Sequence, residues 1–146
     1  MPALKQKVYA YITSGKRLLL MRHVDFPESG LQVAGGTVKQ GEDLVSAVLR
    51  EVEEETGLMN LEFNGCLGAS IRYMKDVGLD EIHHRFFYHL RCLEETPPSW
   101  RHDEHDPSDG SPGPIHLEWF WTELDDVHEL AGNQEEFLNT LQLNID

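Results

Sequence analysis

The sequence predicts an α/β or α+β layered domain, and three observations lead to that prediction. Residues 7–13 and 17–24 are rich in Val, Tyr, Ile and Leu and are separated by Ser14-Gly15-Lys16, as expected for a β-hairpin. Residues 43–56 have the apolar spacing of a helix, and strand-like segments return after them. The 146 residues are enough for one core, so we expect residues 1–146 to form a single domain.

Local signals define the elements around the central helix. Pro and Gly in residues 26–30 predict a loop, and the short apolar segment 31–34 is interrupted by Gly35-Gly36. Asp43 is a candidate N-cap, and Gly57 is a candidate left-handed C-cap. The predicted helix therefore has a defined beginning and end.

The second half of the chain predicts further strands, one long loop and two helices. Five prolines fall in residues 96–114, which predict a long loop. The other elements are strands at 61–72, 82–93 and 115–122, a turn at 75–80, a short helix at 123–130 and a terminal helix at 133–141.

The charge of the chain excludes some classes of partner. There are 26 acidic and 12 basic residues, a formal net charge of −14, whereas nucleic-acid polymers and anionic membranes require basic surfaces. Residues 94–146 hold fourteen acids and one base, which we interpret as a solubilising surface. The longest purely apolar run, 18–21, is too short for a membrane span, and no signal peptide is recognisable. We expect a cytoplasmic protein with Cys66 and Cys92 reduced.

Three glutamates of the predicted helix point to a metal ion. Glu51, Glu54 and Glu55 are spaced i, i+3 and i+4, so their carboxylates converge beside the apolar face. Like charges at this spacing repel one another and favour a compensating cation. Arg50 supplies one positive charge to Glu54 at i+4, and a divalent ion with oxygen ligands supplies more.

The segment from Gly36 to Leu58 fits the pattern G-x5-E-x7-R-E-U-x-E-E-x-G-U, in which U is aliphatic. The fixed positions are filled by Gly36, Glu42, Arg50, Glu51, Val52, Glu54, Glu55, Gly57 and Leu58. The chain therefore resembles the Nudix hydrolases, whose box this is. The resemblance implies an α/β/α sandwich with a mixed β-sheet.

The resemblance also implies Mg²⁺- or Mn²⁺-dependent hydrolysis of a nucleoside diphosphate linked to another moiety, such as a nucleotide sugar, a dinucleoside polyphosphate or a (d)NTP. In this family, glutamates that match Glu51, Glu54 and Glu55 bind the metal, and an arginine that matches Arg50 orients them. The carbonyl of Gly35 is a further candidate ligand, and Gly36 and Glu42 are supporting residues. Ala34 replaces a proline found in many relatives, which makes this turn less rigid.

The general base and the substrate contacts are left open by the sequence. Glu55 and Glu51 are the leading candidates for the base, with Glu104 and Glu118 as candidates from more distant segments. Arg22 and Lys39 are candidate phosphate contacts, although a solvated surface is the simpler interpretation of both. Tyr73 is a candidate for stacking on a base.

Three further hypotheses stay open. A non-catalytic Nudix-like nucleotide sensor or interaction module is the alternative function, although no box glutamate is missing. Residues 102–105 (His-Asp-Glu-His) have some likeness to a zinc cluster, but a solvated or substrate-facing loop is favoured. A homodimer is common among relatives, and on that ground alone it is kept as a hypothesis for this chain.

Overall fold

The computed structural model describes residues 1–105, 107 and 112–145. Within them lie one mixed seven-stranded sheet and two helices, arranged as an α/β/α sandwich, which confirms the predicted fold class. The strands are β1 Ala3–Ser14, β2 Arg17–His23, β3 Ala34–Thr37, β4 Leu61–Tyr73, β5 Glu81–Cys92, β6 Ser99–Glu104 and β7 Ile115–Glu123, and the helices are α1 Leu44–Thr56 and α2 Leu138–Ile145.

The sheet has the order β4-β5-β1-β2-β7-β6, and β3 pairs with β1 outside this path. The β1–β5 pair is parallel and the other strand pairs are antiparallel. Alternation along β1 divides the core into two layers. Val8 and Ile12 pack on the α1 side with Val48, whereas Tyr11 packs on the α2 side with Leu141.

The hairpin of β1 and β2 opens immediately after its turn. Their register pairs are Thr13–Leu18 and Ser14–Arg17, and beyond these β1 pairs with β3 instead. The segment before β3 reaches β2 through one bridge, between Met21 and Gln32. The two strands therefore separate, and β3 lies against β1 where an unbroken hairpin would place β2.

Helix α1 begins and ends at the predicted caps. The side chain of Asp43 accepts hydrogen bonds from the backbone N–H of Ser46 at 2.9 Å and from its hydroxyl at 2.8 Å. Gly57 has φ 78°, and its N–H donates to Glu53 O. This left-handed C-cap satisfies a carbonyl of the last turn, which otherwise has no partner inside the helix.

Two predictions around the loops are wrong. Gly35 and Gly36 do not interrupt the extended backbone after residues 31–34 but lie inside β3. Residues 99–104, predicted as part of the long loop, form β6, which pairs with β7. The prolines lie before and after these six residues, so every one of them keeps its backbone N–H for the ladder. The rest of the predicted loop includes residues 106 and 108–111, which lie outside the described residues.

The predicted terminal helices are also displaced. In place of a helix over 123–130 there is one 3-10 turn, Leu124–Asp126, because Leu124 and Leu130 both pack into the α2-side core from an extended path. A helix from residue 133 is prevented by the left-handed φ values of Gly132 and Asn133, 61° and 58°. Helix α2 therefore starts at Leu138. None of the helices in the described ranges is long and apolar enough to cross a membrane.

We expect Gly57→Ala to destabilise the fold more than Gly41→Ala. Both glycines have φ 78°, so alanine is strained at both, by about 1 kcal/mol. At Gly57 the new Cβ would also lie 3.0 Å from Nδ1 of His102, whereas at Gly41 it meets nothing within 4 Å. Urea unfolding followed by circular dichroism measures both variants. An equal loss of unfolding free energy would contradict the packing contribution of His102.

Candidate active site

Arg50 gathers the carboxylates of the box segment around one guanidinium group. Its Nε and Nη2 donate to the two oxygens of Glu42 at 2.8 and 3.0 Å, in the two-bond geometry that strengthens arginine–carboxylate pairs. Its Nη1 donates to Glu51 at 2.8 Å and to Glu54 at 3.2 Å. Nη2 also reaches the carbonyl of Thr37 at 3.3 Å. The arginine therefore ties the loop before α1 to the acidic face of the helix.

Glu42 is the carboxylate most affected by this arrangement. The hydrogen bonds from Arg50 lower the pKa of Glu42 to about 2, and the backbone N–H of Lys39 adds a further bond to the charged form. Glu42 therefore stays ionised and fixed over most of the pH range, with its oxygens directed to Arg50 and the loop backbone.

Three carboxylates converge beside Arg50. Single oxygens of Glu51, Glu54 and Glu104 all lie within 4.8 Å of one another. Glu51 and Glu104 are buried and Glu54 is half-buried. Carboxylate oxygens in this number and spacing suit a hard divalent cation such as Mg²⁺ or Mn²⁺. Glu104, the last residue of β6, was a candidate base in the sequence analysis and not a candidate ligand.

Glu55 occupies a different environment from the other box glutamates. Its side chain is buried and accepts a hydrogen bond from the N–H of Gly35 at 2.8 Å, while Trp119 Nε1 holds its carbonyl at 2.8 Å. Burial, followed by the negative charges of Glu51 and Glu104, raises the pKa of Glu55 well above its usual value. Glu55 therefore faces both the backbone of β3 and the negative charges of the neighbouring carboxylates.

The two glycines of β3 allow the strand to pass between β1 and α1. A Cβ on Gly36 would overlap the carboxylate of Glu51. A Cβ on Gly35 would lie 2.5 Å from the carbonyl oxygen of Val8 and 2.7 Å from Cδ1 of Tyr9. Only glycine permits this close approach of the strand backbone to the acidic residues.

A cavity of about 290 Å³ opens beside these groups, where β1 and β2 separate. Glu51, Glu55 and Glu104 contribute acidic lining. The volume lies near the lower end of the range for small-molecule sites. The position of the cavity places any bound ligand directly against the carboxylate cluster.

Other cavity-lining side chains were missed by the sequence analysis. They are Lys7 and Tyr9 of β1, His23 of β2 and Gln134 before α2. The alternation of side chains along a strand places Lys7 and Tyr9 on one face of β1. The separation of β1 from β2 exposes that face to the cavity, and no local sequence signal predicts this separation. Gln134 lies far away along the chain, so no spacing rule connects it with the box.

Three predicted substrate contacts and one candidate base lie elsewhere. Arg22 and Glu118 form an exposed ion pair at 2.7 Å across β2 and β7. Tyr73 is 67% exposed at the end of β4, and Lys39 is exposed on the loop before α1. None of these four lines the cavity within the part of the chain that the structure describes.

The histidine-containing segment 102–105 does not form a zinc cluster in the described residues. The ring of His102 lies beside Gly57, and Asp103 pairs with His116 Nδ1 at 2.9 Å. Within that part of the chain, Glu51, Glu54 and Glu104 are the one group of His, Cys, Asp or Glu with metal-ligand spacing.

The sequence matches the NUDIX domain over residues 3–141. The chain belongs to the Nudix family, which confirms the resemblance read from the box. Its class is that of the Nudix hydrolases, enzymes that act on phosphoric anhydride bonds, so the predicted enzyme class is confirmed at the level of the family. No curated protein sequence matches the chain.

Solved structures agree on the fold at low sequence identity. The Ap4A hydrolase of C. elegans has 19% identity and a TM-score of 0.64, with 100% of both chains covered. An ADP-ribose pyrophosphatase from Streptococcus suis 89-1591 has 18% identity and a TM-score of 0.63, with 97% of this chain and 92% of that one covered. A UDP-X diphosphatase has 17% identity and a TM-score of 0.61, with 98% of this chain and 62% of that longer chain covered.

We expect Glu42→Gln to remove part of the acid sensitivity of the fold. The folded-state pKa of Glu42, about 2, lies below its unfolded value, so its stabilisation is complete above about pH 5 and is lost as the pH falls towards 2. The variant also loses charge-assisted hydrogen bonds, at a cost of about 1–3 kcal/mol at pH 7.

Urea unfolding in metal-free buffer between pH 7 and pH 2 measures this effect. Glu53→Gln, on the exposed side of the same helix, is the matched control. Its unfolding free energy should depend on pH in the same way as that of the wild type. If both variants had the same pH dependence, the stabilising role of the Glu42–Arg50 pair would be refuted.

Proposed function

We propose that the protein is a metal-dependent pyrophosphohydrolase that cleaves a nucleoside diphosphate linked to another moiety. The observation that carries the proposal is the convergence of Glu51, Glu54 and Glu104 beside a cavity of about 290 Å³. Anionic ligands fit such a site only with a cation between them and the carboxylates.

The donor set supports Mg²⁺ or Mn²⁺ as the cofactor. Glu51, Glu54 and Glu104 would hold the ion, with Glu55 and the Gly35 carbonyl as the further ligands that the family resemblance implies. A bound divalent cation neutralises phosphate charge and lowers the pKa of coordinated water. Gly36 contributes by leaving the Glu51 carboxylate room that a side chain would fill.

The protein's own residues have distinct proposed roles. Arg50 holds Glu51 and Glu54 in place and keeps Glu42 against the loop. Glu55 is the leading candidate for the general base, because it lines the cavity and its hydrogen bond from Gly35 fixes one oxygen. Glu51 is the second candidate. Glu104 belongs to the metal-ligand cluster, whereas Glu118 pairs with Arg22 at the surface, so we rank Glu118 last.

The cavity lining favours a substrate with an anionic part and a planar polar part. Lys7 and His23 offer nitrogen donors, Tyr9 offers an aromatic ring and Gln134 an amide. Three solved structures of similar fold are named for UDP-X, ADP-ribose and Ap4A, all nucleoside diphosphate derivatives. We propose the same broad class for this chain, with the second moiety extending out of the cavity. The cytoplasmic location and the homodimer stay predictions from the sequence.

Glu54→Gln and Glu55→Gln should each lower turnover by about 10²- to 10⁴-fold. The assay is a hydrolysis panel with Mg²⁺ and with Mn²⁺ that includes UDP-glucose, ADP-ribose, Ap4A and the (d)NTPs. Glu53→Gln, one residue away and exposed, should keep wild-type activity. Full turnover in both variants, or no turnover of any panel member by the wild type, would overturn the proposed function.

Glu104→Gln should weaken Mn²⁺ binding by about tenfold or more, because it removes one of three converging carboxylates. Electron paramagnetic resonance of free Mn²⁺ measures the dissociation constant without any substrate. Glu118→Gln, on the neighbouring strand but outside the cluster, serves as the control. Unchanged Mn²⁺ affinity in Glu104→Gln would remove Glu104 from the ligand set.

A further inference from the structure

Arg85 is a fully buried arginine, with 1% of its surface exposed. It lies on β5 beside Lys7 of β1, and its guanidinium carbon is 5.0 Å from the ring centroids of both Tyr9 and Phe87. A charged group in this position is costly unless it is hydrogen-bonded, and an apolar residue of similar size would fill the space at lower cost. The role of Arg85 must therefore lie in the groups to which its guanidinium donates hydrogen bonds.

The partners of Arg85 lie in the segment before α2. Nη1 donates to the carbonyl of Gly132 at 2.8 Å, and Nη2 donates to the carbonyl of Asn133 at 3.2 Å. Both residues have left-handed φ values, 61° and 58°, in the 3-10 turn Ala131–Asn133, where the Asn133 carbonyl also accepts a longer hydrogen bond from Glu136 N–H at 3.4 Å. Arg72 adds a bond to Gly132 O at 2.5 Å, and Glu136 lies 3.7 Å from Arg85.

The next residue, Gln134, is held from two further directions. Its carbonyl accepts a hydrogen bond from the hydroxyl of Tyr11 at 2.5 Å, and its Oε1 accepts one from the N–H of Val33 at 2.9 Å. Gln134 is 7% exposed and lines the cavity. With Oε1 committed to Val33, its Nε2 is the group available as a donor to an acceptor on a ligand.

Arg85 thus contacts two parts of the cavity wall, namely the ring of Tyr9 and the backbone that carries Gln134. We propose that Arg85 is a positioning residue that fixes Tyr9 and Gln134 against the nucleoside part of the substrate. This inference rests on the proposed function. None of the partners of Arg85 described above belongs to the Glu51, Glu54 and Glu104 cluster, so its loss should weaken substrate binding and leave the chemistry intact.

The test compares Arg85→Met and Arg85→Lys with the wild type on the substrate that the panel identifies. Methionine keeps an apolar stem beside Tyr9 and Phe87 but removes the donors to both carbonyls, so we expect KM to rise about tenfold or more with kcat within about twofold. Lysine donates from a single nitrogen and should restore part of the KM. Arg91→Lys, on the exposed end of the same strand, should behave as the wild type.

Two further measurements separate positioning from damage to the fold. The dissociation constants of AMP and GMP, measured by calorimetry with Mg²⁺, should rise in parallel with KM, whereas Mn²⁺ affinity and the thermal melting cooperativity should not change. If Arg85→Met fails to fold, Arg85→Lys alone decides, since its KM should still exceed that of the wild type. Unchanged KM in a folded variant, or a fall in kcat with KM unchanged, would overturn the inference.

These outcomes are distinct from failure of the proposed function. A wild-type protein that hydrolyses no member of the panel refutes the hydrolase proposal before any Arg85 variant is compared. A wild-type protein that does hydrolyse a member, together with Arg85 variants of normal KM, refutes only the positioning role.

Discussion

The guanidinium of Arg50 is the contact on which the acidic site depends. Glu51 and Glu54 repel each other across one turn of helix, and Glu104 adds a third charge from β6. Arg50 donates to two of these carboxylates and forms a two-bond pair with Glu42. Because one side chain makes all these contacts, the loop before α1 and the helix face are held in one arrangement.

The second constraint is the early opening of the β1–β2 hairpin. After two register pairs, β1 exchanges β2 for β3, and the cavity forms in the space between the separated strands. The exchange depends on Gly35 and Gly36, since side chains there would overlap β1 and Glu51. The same glycine pair therefore opens the substrate cavity and brings the strand backbone against the acidic residues, with Gly35 N–H bonded to Glu55.

Predictions from local signals were accurate where neighbouring residues decide the structure. The caps of α1 at Asp43 and Gly57 depend on side-chain oxygen and backbone freedom at single positions, and both are present. Predictions failed where packing overrides local composition. The proline-rich segment contains β6 because β7 offers it a pairing edge, and 124–130 stays largely extended because Leu124 and Leu130 are buried in the core.

The sequence alone determined the family, the identity of the acidic residues on α1 and their charge-balancing arginine, because one helix turn brings residues three and four apart together. Only the tertiary structure decided that Glu104 joins that cluster, that the buried Glu55 accepts a hydrogen bond from Gly35 N–H, and that Gln134 lines the cavity. These residues come from β6, α1 and the segment before α2, and their contacts depend on strand pairing between distant parts of the chain. No spacing rule along the sequence specifies such pairing, which is set by the packing of the whole sheet.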